Sequence, residues 1–93
     1  MNRQEYAETI ALQALGWLAA NEELLPVFLG ACGATVNDLA KNAGQPAFLG
    51  SVLDFILMDD AWVIEFCDAA NLAYVIPMQA RTSLPGGEQI NWT

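Results

Sequence analysis

The stretch 46–58 constrains what this chain can fold into more than any other. Phe48, Leu49, Val52, Leu53, Phe55, Ile56, Leu57 and Met58 fall on nearly every side of one helix, and Pro46 suits its first helical position. A helix that is apolar all round has no face to give to water, so other elements must surround it. The flanking segments are suited to that role, because each carries recognisable helix start and stop signals.

Asn2, with Glu5 three residues on, opens a helix over 3–20 that Asn21 ends. Ala7, Ile10, Ala11, Ala14, Trp17 and Leu18 share its inward face. Leu12 and Leu15 fall on the opposite side beside Glu8, where either a second layer covers them or they form an exposed apolar patch. Asn21 also suits the cap of a helix over 22–30, with Glu22 and Glu23 at its positive end and Gly30 and Gly33 stopping it. Thr35 and Asp38 have capping-box spacing and open a short helix to 43, anchored by Leu39 and closed by Gly44. Asp59 and Asp60 break the apolar run and cap a helix over 61–70, with Trp62, Val63, Phe66 and Cys67 inward and Glu65 and Asp68 outward, ended by Asn71. An extended 72–76 follows, then a short helix from Pro77 to about 83, and a Leu84-Pro-Gly-Gly87 turn leads into a tail carrying Trp92.

These elements predict an all-α fold, a compact orthogonal bundle of five to six short helices around the central hydrophobic helix. Ninety-three residues hold material for one core only, so 1–93 is expected to be one helical domain, with 84–93 as its turn and tail. Hydrophobic residues make up 55% of the chain and charged ones 15%, against about 25% in ordinary domains, which leaves apolar side chains over for an outer face. A protein partner or a homo-oligomer is the expected consequence.

Eleven Asp and Glu oppose only Arg3, Lys41 and Arg81, a net charge of -8 that repels phosphate backbones and anionic lipid and favours basic partners. The longest uncharged stretches, 9–21 and 24–37, fall short of the roughly 18–20 apolar residues a membrane helix needs, so no membrane association is expected. Glu5 and Glu8 oppose Arg3 where an export signal wants net positive charge, which makes this segment part of the fold and the cytoplasm the expected compartment.

Cys32 and Cys67 stand far apart, without a C-x-x-C or any histidine, so the usual zinc frames are missing. Apolar neighbours make each a buried reduced thiol by expectation, while the sequence leaves a disulfide open. The densest ionisable group is Asp54, Asp59, Asp60, Glu65 and Asp68. Asp54, Asp59 and Asp60 are the candidates for a divalent cation, although capping accounts for Asp59 and Asp60 and a calcium loop with its glycine is missing. Asp54 sits in the most apolar helix and must be near an end, paired, or functional. No nucleophile with an activating base, phosphate-binding glycine loop or dinucleotide fingerprint is visible, and no cofactor is expected.

The segment 35–44 followed by a helix has the shape of half a helix-turn-helix. Its second helix, 46–58, has no Lys, Arg or Gln with which to read bases or hold phosphates, so nucleic acid is not an expected partner. Trp17 and Trp62 belong to core faces, whereas Trp92 either folds back onto the body, the favoured reading, or acts as a contact residue.

Glu8-Thr-Ile-Ala-Leu-Gln-Ala-Leu-Gly-Trp-Leu-Ala-Ala20, Phe28-Leu-Gly-Ala31, Val52-Leu-Asp-Phe-Ile-Leu-Met-Asp-Asp-Ala-Trp62, Phe66-Cys-Asp68 and Leu84-Pro-Gly-Gly87 occur in this order. With them the chain resembles, over nearly its whole length, a family of short uncharacterised alphaproteobacterial proteins, a domain of unknown function. The resemblance implies a bacterial, cytoplasmic, stand-alone domain and brings no reaction, ligand or site. The functional expectation is therefore a non-enzymatic protein-protein interaction domain, a homodimer or an adaptor for a basic partner, with Leu12, Leu15 and Trp92 as contact residues. The alternatives are a small metal-binding or metal-dependent enzyme using the acidic cluster, and a degenerate helix-turn-helix regulator.

Overall fold

The computed structural model describes residues 2–84. Six helices follow one another: α1 (Arg3–Ala19), α2 (Leu24–Cys32), α3 (Val36–Asn42), α4 (Pro46–Leu57), α5 (Asp60–Ala70) and α6 (Ile76–Thr82). The described residues contain no strand. This is the all-α bundle expected from the capping pattern.

Local chemistry sets most boundaries. The Asn2 side chain accepts from the Glu5 N–H at 2.7 Å while the Glu5 carboxylate accepts from the Asn2 N–H at 3.1 Å, a reciprocal capping box for α1. Asn21 receives the Glu23 and Leu24 N–H groups on its side chain, both at 3.0 Å, and the Leu25 N–H on its carbonyl, so it opens α2 although regular helix begins at Leu24. α2 then passes its expected stop at Gly30 and runs to Cys32. The left-handed residue that ends it is Gly33, with φ 72°, whose N–H bonds to the Leu29 carbonyl. Asn71 ends α5 in the same conformation, at φ 60°.

Two expectations need correction. Residues 72–76 are not extended: Ile76 N–H bonds back to the Ala73 carbonyl in a turn, and α6 starts directly from it. A lone apolar strand in a helical body has no ladder for its backbone groups, so the turn satisfies them locally. The centre is also shared, because α4 meets α1, α5 and α6, while α1 meets α2, α4, α5 and α6.

Sequence explains why α1 is so well placed. Ala7, Ala11 and Ala14 are wholly buried one turn apart, and their small side chains let neighbouring helices approach closely. Seventeen residues also make α1 about 25 Å long, close to the full 31 × 30 × 26 Å extent of the body. The shorter helices wrap around it. Leu49, Val52, Leu53 and Ile56 of α4 are at most 1% exposed, as an all-apolar helix requires. Aromatic rings join the layers: Phe28 of α2 meets Phe48 and Phe55 edge-on at 6.0 and 5.3 Å, Phe55 stacks on Trp62 of α5 at 4.8 Å, and Trp17 of α1 meets Phe66 at 6.0 Å.

Candidate interaction surface

Asp54 is the charge that an apolar helix least accommodates, and the structure pairs it. Arg81 of α6 donates from Nε to Asp54 Oδ1 at 2.6 Å and from Nη2 to Oδ2 at 3.1 Å, a bidentate contact, and from Nη1 to the Leu84 carbonyl at 3.4 Å. The Arg81 side chain is only 12% exposed and the Asp54 side chain 52%. Gly50, one turn before Asp54, makes the room: a Cβ there would stand 3.0 Å from Nη1 and 3.2 Å from Cζ. Neither Gly50 nor Arg81 stood out in the sequence. The available signal was elimination, since Arg81 is one of three cations and Asp54 was the acid in need of one.

The other cation candidates separate. Asp59 caps α5, accepting from the Ala61 N–H at 2.8 Å, and Asp60 lies exposed in the first turn. Among the described residues no three His, Cys, Asp or Glu side chains converge to hold a metal ion.

Of the expected contact residues, Leu12 is 46% exposed. Leu15 takes the other of the two situations left open for it: it lies in the core at 8% exposure, because α1 is enclosed on more sides than an ordinary surface helix. Trp92 lies outside the described residues. The cysteines divide as well. Cys67 is buried, and burial, followed by the nearby Asp68 charge, pushes its thiol up. Cys32, the last residue of α2, is exposed, contrary to expectation, and both are free thiols.

Two grooves mark the body. One, of about 360 Å³ between α2 and α4, has Phe28 and Phe55 as its floor, Cys32 and Met58 at its sides, and Asp54 as its only charged lining residue, already engaged by Arg81. The other, of about 340 Å³ between α1 and α6, is lined by Arg3, Tyr6, Gln79, Ala80, Thr82 and Ser83. The Thr82 hydroxyl is committed to the Gln79 carbonyl at 2.7 Å.

The remaining surface feature is a face. α5 buries Phe66 and Cys67 and half-buries Trp62, Val63 and Ala70, which leaves 60, 61, 64, 65, 68 and 69 exposed. Ile64 stands among those outward positions at 42% exposure, between Asp60 and Asp68 one turn away on either side. Tyr74 extends this face, because its hydroxyl donates to Asp68 at 2.9 Å, a bond that holds the phenol above its ordinary range. Tyr74, Val75 and Met78, at 54%, 44% and 56% exposure, sit together at the start of α6. None of Asp60, Glu65 and Asp68 has a cation within ion-pair distance among the described residues.

The fold and this surface define an all-helical bundle with exposed apolar side chains set among acids that have no ion-pair partner among the described residues, and no described helix is long and apolar enough to cross a membrane. The chain belongs to the family described as protein of unknown function (DUF3572), whose model matches residues 4–87. That span contains every segment on which the family resemblance rested. No curated protein and no solved structure matches the chain significantly.

Proposed function

We propose that this chain is a non-enzymatic protein-protein interaction domain and that its partner is basic. The observation that carries the proposal is the outer face of α5, where Ile64 stands exposed among Asp60, Glu65 and Asp68. Ile64 stands half-exposed between Asp60 and Asp68, with Tyr74 bonded to Asp68 beside it, an apolar position rimmed by acids that suits cover by a partner surface. The net charge of -8 selects the occupant, attracting basic surfaces at long range and repelling a second copy. Leu12 and Trp92 remain proposed contact residues.

Co-purification from native cells followed by mass spectrometry tests the proposal. A basic protein should elute with the chain and be released as salt is raised, because charge steers the association. Sedimentation that shows a monomer at high concentration, together with co-purification that retrieves nothing, would overturn it.

A further inference from the structure

We infer that the outer face of α5, continued by Tyr74, docks a basic amphipathic helix of the partner; this rests on the interaction reading above and specifies the partner's chemistry. The row Asp60, Ile64, Asp68 forms a ridge along α5, and the row Ala61, Glu65, Ala69 lies beside it. The two alanines keep that second row low except at Glu65, so a partner helix can lay its own ridge there and reach Ile64. The Tyr74 hydroxyl, bonded to Asp68, ties the start of α6 to this end of the ridge.

Charge selects among occupants. Asp60, Glu65 and Asp68 have no ion-pair partner among the described residues and rim the apolar position Ile64, so a helix with an apolar stripe flanked by Lys or Arg meets both. A second copy meeting this face symmetrically would bring carboxylates against carboxylates. The α2–α4 groove is the more concave site, but its only acid is already held by Arg81, so it has no comparable charge to offer.

The probe is a synthetic Leu/Lys peptide patterned as an amphipathic helix, titrated into the isotopically labelled chain while amide shifts are followed. Two controls accompany it: the same composition scrambled so that no apolar face forms, and a Leu/Glu counterpart. Shifts should cluster on 60–69 and on Tyr74, the controls should bind at least about tenfold more weakly, and Ile64→Lys or Glu65→Lys should weaken the patterned peptide by about tenfold. Both substitutions lie on the surface, and the amide spectrum of each variant reports its fold. Shifts that map to the α2–α4 or α1–α6 groove, equal binding of the scrambled peptide, or unchanged affinity in the Ile64→Lys variant would overturn the inference. A native partner that still binds Ile64→Lys with full affinity removes this surface assignment and leaves the interaction reading standing. Recovery of no partner, with a monomer in sedimentation, removes the reading itself.

Discussion

Gly50 shows how one residue's lack of a side chain organises a contact between helices. In an ordinary mid-helix position, alanine in place of glycine stabilises by roughly 0.5–1 kcal/mol. Here the new methyl would press on a guanidinium that Asp54 and the Leu84 carbonyl hold in place. In the Arg81→Met background, Gly50→Ala should therefore stabilise by about 0.5–1 kcal/mol, whereas in the native chain the gain should shrink or reverse. Urea unfolding of the four chains measures the coupling, expected to exceed roughly 0.5 kcal/mol. Additive effects would mean that the guanidinium is not confined against Gly50. The sequence limited Asp54 to three situations, and pairing is the one realised. Which cation met it was not legible, because Asp54 and Arg81 are 27 residues apart and only the packing of α6 against α4 brings them into register.

Among the elements, α3 carries an electrostatic signature of its own within seven residues. The backbone N–H of Thr35, donating to the Asp38 carboxylate at 2.9 Å, together with the Thr35 side chain, holds that carboxyl below its ordinary 3.8. A lowered pKa means that the ionised group favours the folded state, so its contribution is complete above the unfolded value and is lost as pH falls through the folded one. Carboxyl carbon shifts should place the Asp38 midpoint below 3.8, and Asp38→Asn should lower amide protection in α3 at neutral pH while removing that acid-side dependence. A midpoint at or above 3.8 would falsify this account. Caps of this kind were readable in advance because their partners lie within three residues. The end of α2 was not, since Gly30 and Gly33 are both plausible stops and the choice depends on which one takes the left-handed conformation. α5 was legible as a helix with an inward face. Ile64 went unremarked because it departs from the pattern that made the face recognisable.

For the whole molecule, the apolar run of 46–58 divides between core and surface. Leu53 is fully buried and Met58, five residues on, is 74% exposed. Leu53→Ala should cost about 2–5 kcal/mol, a large share of the roughly 5–15 kcal/mol that holds a domain of this kind together. Met58→Ala should change stability by about 0.5 kcal/mol or less. Denaturant midpoints of the two variants check the contrast, and similar losses would contradict the placement of Met58 outside the core.

What the sequence determined by itself was the all-helical class, the order of elements and most of their ends, because caps, prolines and helical periodicity act over one to four residues. It also determined that an apolar surplus and an acid excess had to coexist in one small body. Only the tertiary structure decided that α1 shares the centre with α4, that Leu15 is covered while Leu12 and Cys32 are not, and that Asp54 belongs to Arg81. Burial and pairing depend on which helix faces meet, and residues far apart in the chain settle that together.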